Sequence, residues 1–370
     1  MKMDKHGIPR TKDLIIGKVW GEKWSINDAI REVLQNTIDG AKEYGHGCQL
    51  RPLYKSNSKD PWQVKECNED ERLKWKDHTV NDENLQAYQS TLVLVTKDGE
   101  SMDDKTKLKC FNQKKWRECK EVMAFIQITY LVRKSKWDPT NIEYGQIERS
   151  ILVKLVAENR AKLDRSTVRS FFTIGKSSKG DNNNVAGMHG EGLKIGANKL
   201  TVNGYKASIE INGLHREYLH RDTDRKEDIV SEDSTLHAIC RKPRPKMSED
   251  VVIFTVERDP YRSFHGWRKH TFDHSTFQLM NPGIESPITG EIMLDKDFQA
   301  QFFCQGIRIV TWSKRDAIYG YALPKFSIGR DRNSVDWHVL IGLVKKVWDV
   351  QKMMVNPCKP CLITFETIQT

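Results

Sequence analysis

The sequence has no run of about twenty consecutive apolar residues, the length a helix needs to cross a bilayer. Its opening, Met1-Lys-Met-Asp-Lys-His6, lacks the apolar stretch of a secretory leader. Those two absences make the expectation an intracellular protein, cytoplasmic or nuclear, with no membrane partner. Cysteine pairs suited to metal are also scarce. Cys358 and Cys361 form a lone CxxC, while Cys48, Cys67, Cys110, Cys119, Cys240 and Cys304 lie scattered. A structural zinc site takes four ligands, so all of these are read as reduced thiols. No repeat or low-complexity tract is found, and acidic residues are the scarcer charge. Against 60 Lys and Arg stand 50 Asp and Glu, leaving a net charge of +10, which suits a polyanionic partner.

What is present is enough for a large core. Hydrophobic residues make up 38% of a 370-residue chain, a length that suggests two or three structural units. Ser25 and Asp28 have the spacing of a capping box. After them Ile26, Ala29, Ile30, Val33, Thr37 and Ala41 recur at helical intervals and predict a helix with one buried face, ending near Gly45-His46-Gly47. Glu32, Asn36 and Asp39 fall in a stripe on another face. A carboxylate and a carboxamide one turn apart can serve one ligand, the Glu orienting or deprotonating water and the Asn oxygen suiting Mg²⁺.

Residues 50–147 read as an insertion carrying its own strands, at 91–95 and 124–132. It is basic between 105 and 136, with Lys105, Lys107, Lys109, Lys114, Lys115, Arg117, Lys120, Arg133, Lys134 and Lys136, and it holds isolated tryptophans. Such a segment is either a charged surface with its tryptophans buried beneath it or a face that holds nucleic acid through phosphate contacts and stacking. A strand is predicted at 151–156, ending at Ala157-Glu158-Asn159, then a short helix capped by Asp164 or Ser166. A polar glycine-rich loop over 175–192 leads into a helix at 193–199. Strands are expected at 200–211 and 251–256, separated by a long loop over 221–250, with a closing helix at 335–354.

The loop holds the second chemical constellation. Gly187-Met-His-Gly190-Glu-Gly192-Leu-Lys194 places glycines just ahead of a helix N-terminus, where bare backbone and aligned N–H groups receive phosphate. Gly175-Lys176-Ser177-Ser178-Lys179 precedes it with the character of a lid. Ser170 stands where a P-loop needs its first glycine, so that reading is rejected. No compact strand–glycine-loop–helix unit precedes the run, so the dinucleotide-binding one fails too.

The order of these parts resembles the GHKL (Bergerat-fold) superfamily of gyrase-type topoisomerases, heat-shock chaperones, histidine kinases, MutL and MORC ATPases. Val33-Leu-Gln-Asn36-Thr-Ile-Asp39-Gly-Ala41 is similar to that family's N box, and residues 187–194 to its glycine box. The resemblance implies an α+β, Bergerat-type α/β sandwich, a mixed sheet covered by helices, over residues 1–215. A transducer-like α/β segment over 216–370 would follow. It implies ATP and Mg²⁺ as cofactors, slow hydrolysis, and nucleotide-driven lid closure or homodimerisation. Glu32 would be the general base, Asn36 the metal ligand, and Asp39 a pocket residue. Lys176, Ser177, Ser178, Gly187, Gly190, Gly192 and Lys194 would surround the phosphates. Arg330 or Arg332, with Lys325 as a further candidate, would reach the γ-phosphate from the second segment. The family's Asp-x-Gly-x-Gly segment finds its best match at Glu158, which would face the base, with Arg160 and Lys162 in place of glycines; Lys97-Asp98-Gly99 is the rival. Those replacements leave one alternative, a degenerate GHKL fold serving as a non-catalytic scaffold for nucleic acid or protein.

Overall fold

The computed structural model describes residues 3–4, 8–17, 19–44, 50–55, 62–68, 85–133, 149–161, 163–164, 167–168, 172, 192–220, 234–241, 251–258, 271–273, 290–294, 296–304, 307–311, 317–324 and 336–354. It divides into two compact units, Met1–Gly283 and Ile284–Thr370.

In the first unit the helix predicted from Ser25 is α1, Ile26–Tyr44. Its start is a reciprocal capping box. The Ser25 backbone N–H donates to Asp28 Oδ2 at 2.7 Å, and the Asp28 N–H donates to Ser25 Oγ at 3.2 Å, so two otherwise unpaired donors are satisfied. The strands are β1 (Thr11–Gly17), β2 (Arg51–Pro52), β3 (Gln63–Glu66), β4 (Leu85–Val95), β5 (Val122–Arg133), β6 (Arg149–Arg160), β7 (Tyr205–Ile211), β8 (Leu214–His220), β9 (Thr235–Cys240), β10 (Val251–Arg258) and β11 (Thr271–Asp273). They form one sheet in the order β1-β9-β8-β7-β10-β6-β5-β4-β2, with β3 paired to β4 and β11 to β6. The expected α+β class holds. The sheet is not mixed, however: every pairing among its described strands is antiparallel.

Three further expectations change. The strands expected within an insertion, β4 and β5, belong to the main sheet, because β5 pairs with β6 over residues 124–131. The stretch expected as a long loop contains β9, which bridges β8 to β1. The first unit runs past residue 215 for a local reason. Asn212 (φ 47°) and Gly213 (φ 73°) form the two-residue turn of a β7–β8 hairpin, so the chain after 213 returns into the same sheet.

One face of the sheet carries α1 and α3 (Gly192–Val202). The two helices approach closely at a small-residue crossing, where a Cβ on Gly196 would lie 3.4 Å from the Ala29 carbonyl oxygen. The other face is covered by α2 (Asp104–Cys110) and a 3-10 turn at Trp116–Glu118. Trp116 is fully buried there and stacks on Phe125 of β5, with ring centroids 6.3 Å apart. Two residues of β6 pin this cover. The Glu158 carboxylate, 1% exposed, accepts from Trp116 Nε1 (2.8 Å), Gln113 Nε2 (3.0 Å) and Arg117 Nη2 (2.7 Å). Arg160 donates to the carbonyl oxygens of Arg117, Cys119 and Val122 and lies over the Trp116 ring. Under the same cover, burial pushes the Cys110 thiol up to about 12. That thiol therefore packs as a small apolar group.

The second unit builds a four-stranded sheet in the order β12 (Glu291–Met293), β15 (Gly320–Leu323), β13 (Gln301–Cys304), β14 (Ile307–Thr311). Its core joins Phe302, Tyr321 and Leu323 to Leu340, Val344 and Val347 of α4 (Trp337–Met354). Those three positions on α4 follow the i, i+4, i+7 spacing of one helix face. No helix among the described residues is long and apolar enough to cross a membrane.

Candidate functional site

The site is assembled from α1, the N-terminal end of α3 and the end of β6. Glu32 and Gly192 are far apart in sequence and in contact in space. A Cβ on Gly192 would land on the Glu32 carboxylate and lie 2.7 Å from its Cδ. Glycine at this position is therefore a matter of room as well as of backbone freedom. The carboxylate is 1% exposed and sits at the N-terminal end of α3, where the helix dipole favours negative charge.

One turn further along α1, the Asn36 amide donates from Nδ2 to the Glu32 carbonyl oxygen at 2.8 Å. That bond fixes the amide, since a carbonyl can only accept, and leaves Oδ1 as the group Asn36 offers to a ligand. Asn36 borders a cleft of about 500 Å³, counted with its open mouth. The lining is largely apolar, with Val33, Ala157, Leu193, Ile209 and Phe254 among the contributors, and a few polar groups converge on it. An apolar lining with a few polar groups is the composition of a small-molecule site.

The β6 end of the cleft belongs to Asn159. Its Nδ2 donates to the Thr37 carbonyl oxygen at 2.8 Å. Its Oδ1 is buried and accepts no hydrogen bond among the described residues. Gly40 allows this placement, because a Cβ there would lie 2.5 Å from Asn159 Nδ2. Asn36 and Asn159 thus repeat one device. Each donates one amide N–H to a carbonyl of α1 and keeps its oxygen uncommitted to that bond. A buried acceptor without a donor costs about 1–3 kcal/mol, a cost that a bound donor would relieve.

Of the residues proposed from sequence, the structure brings together Glu32, Asn36, Gly192 and the start of α3; Asn36 lines the cleft, while Glu32 and Gly192 meet behind its lining. Lys194 is buried in the first turn of α3, 3% exposed. Asp39 is buried on α1, within 3.5 Å of Gln35 Nε2, and is not part of the cleft lining. Glu158 is not in the cleft either. It faces the opposite side of the sheet, because neighbouring strand residues alternate in direction and Asn159 takes the cleft side. The rival Lys97-Asp98-Gly99 lies in a 3-10 turn, Lys97–Ser101, away from the cleft. Lys176, Ser177, Ser178, Gly187, Gly190, Lys325, Arg330 and Arg332 lie outside the described residues, as do Lys134, Lys136 and the Cys358/Cys361 pair.

Among the described residues no three His, Cys, Asp or Glu side chains converge as a metal cage. Asn36 Oδ1 is an oxygen suited to a hard cation at this site. Compared with known proteins, the chain matches no family model, no curated protein and no solved structure.

Proposed function

We propose that the cleft binds a Mg²⁺–nucleoside triphosphate, with ATP as the nucleotide, and that the protein hydrolyses it slowly in the manner of the GHKL ATPases it resembles. The observation that carries this reading is the contact of Gly192 with Glu32. It joins the N-box-like helix to the glycine-box-like turn, the two segments on which the resemblance rests. The amide of Asn36, oriented by its bond to the Glu32 carbonyl, fits a hard cation by offering its oxygen. When bound, the Mg²⁺ would neutralise phosphate charge. Glu32 would orient and deprotonate the attacking water from its position beside the α3 N-terminus.

Asn159 would read the base. Shifting the comparison by one residue sets Asn159, Ala161 and Leu163, all of which line the cleft, at the places of the family's Asp-x-Gly-x-Gly. With Nδ2 held by Thr37, Oδ1 accepts from the exocyclic 6-amino group of adenine and opposes the carbonyl oxygen that guanine carries there, so adenine is favoured over guanine. The scaffold alternative rests on Arg160 and Lys162; Lys162 lies outside the described residues, and Arg160 turns away from the cleft and bonds to three carbonyls on the other face. It therefore does not obstruct a nucleotide.

Isothermal titration with Mg²⁺-ATP is expected to give saturable binding that Asn36→Ala weakens at least tenfold. Glu32→Gln should keep binding and lose about 100-fold or more in turnover, the scale of a general base. Unchanged affinity in Asn36→Ala would remove the metal assignment. A heatless titration of the wild-type chain would favour the scaffold. In a separate comparison, Asn159→Leu should abolish the preference for ATP over GTP. A preference that survived this change would place base recognition elsewhere.

A further inference from the structure

The cover on the far side of the sheet has a property that the nucleotide reading does not use. Over residues 104–120 it carries Lys105, Lys107, Lys109, Lys114, Lys115, Arg117 and Lys120 against only Asp104 and Glu118. Arg117 is committed to Glu158. Lys105, Lys109, Lys114, Lys115 and Lys120 are exposed, and Lys107 is half-buried. Lys55 adds a cation at the edge, its Nζ 5.3 Å from the Phe111 ring centroid.

Gathering like charges is unfavourable, and a loose loop would relieve it by spreading them. This segment is held instead. Asp103 caps α2 by accepting from the Thr106 N–H at 2.9 Å, which with the partnering Thr106 hydroxyl holds its carboxyl below the usual range. Glu158 and Arg160 clamp the 3-10 turn from below. The fold thus fixes a patch of lysines with their ammonium groups outward.

We propose that this plate is a docking surface for the phosphodiester backbone of nucleic acid. Lysines act as point charges suited to phosphate and carry no base readout, so binding would be independent of sequence. A protein partner fits less well, because protein interfaces are depleted of lysine and centre on aromatic or arginine anchors. No aromatic residue of 104–120 is exposed, since Phe111 is half-buried and Trp116 fully buried. A lipid surface fits less well because Leu108, 62% exposed, is the one apolar side chain of the segment offered for insertion. The plate and the cleft occupy opposite faces of one sheet, so both can be filled together.

The test is fluorescence anisotropy of the full chain, without nucleotide, against a labelled random 20-base-pair DNA duplex and a labelled 20-nucleotide RNA across salt concentrations. Tight binding at low salt is expected to at least one probe, weakening steeply as salt rises. The Lys105→Gln, Lys109→Gln, Lys114→Gln, Lys115→Gln quadruple variant should bind at least tenfold more weakly. Its salt slope should be smaller by about 4, roughly one for each ammonium–phosphate pairing removed. Its thermal midpoint should match wild type, since all four side chains are exposed. The two probes separate duplex DNA from single-stranded RNA as the source of the backbone. Failure of the wild type to bind either probe overturns the proposal, as does a quadruple variant that binds like wild type. Equal binding to anionic phosphatidylserine vesicles that competes fully with the oligonucleotide would overturn it in favour of a lipid surface. Asn36→Ala should leave oligonucleotide binding intact, so the outcome is independent of the nucleotide site.

Discussion

Glu158→Ala is expected to destabilise the protein by about 3 kcal/mol while leaving Mg²⁺-ATP affinity within about twofold. The carboxylate is 1% exposed and is the shared acceptor for Trp116, Gln113 and Arg117. Its removal leaves the buried indole N–H without a partner and releases the turn it holds. Breaking a buried pair by deleting one member costs about 3–5 kcal/mol. The lower end applies because the Arg117 side chain is 35% exposed and can turn its charge to water. Thermal denaturation followed by calorimetry would register the loss as a lowered midpoint. The same variant separates two assignments for the residue. A base-reading Glu158 would lose nucleotide affinity at unchanged stability, and that pattern would overturn its assignment as the anchor beneath Trp116.

Gly192→Ala is expected to cost about 1–3 kcal/mol, the range for overpacking a filled site. It should also impair nucleotide binding, because the added methyl occupies the position of the Glu32 carboxylate. Glu32 is buried, so it has no solvent-facing rotamer to which it can retreat cheaply. The informative measurement is a double-mutant cycle in urea with Glu32→Ala. Removing the carboxylate makes room for the methyl, so the double variant should be more stable than the sum of the single effects predicts, by at least about 1 kcal/mol. Strict additivity would show that the two residues do not contend for the same space.

The elements of the site were readable in proportion to how one-sided they are. α1 announces itself through its capping box and its apolar stripe, and its observed bounds begin one residue after the predicted cap. α3 was visible from the glycines before it and the small, apolar residues along it. β6 was visible as a strand, but its faces were not. Nearly every residue from Ser150 to Ala161 is buried, on both sides of the sheet, so period-2 alternation is absent from the sequence. Without that signal nothing in Glu158-Asn159 says which side chain meets α1, and charge favoured the wrong neighbour. The position of Asn159 depends on Gly40 and the Thr37 carbonyl, more than a hundred residues away in sequence. The extent of the first unit was legible in principle. The dipeptide Asn212-Gly213 is a strong hairpin signal, and it argues against a domain boundary just beyond it. β9 is harder to find, being six residues long inside a polar stretch.

The alternation along β6 also determines which genetic changes this chain can absorb. Glu158 and Arg160 anchor one layer while Asn159 furnishes the other, so the strand's phase encodes both at once. A point substitution at any of the three is a local injury to one layer. A single codon gained or lost within the strand would exchange the two sets of side chains, sending a carboxylate toward the cleft and an amide beneath the tryptophan. Length variation should therefore be tolerated beyond the strand's ends and refused between Lys154 and Asn159, where its pairings to β5 and β10 both run without interruption.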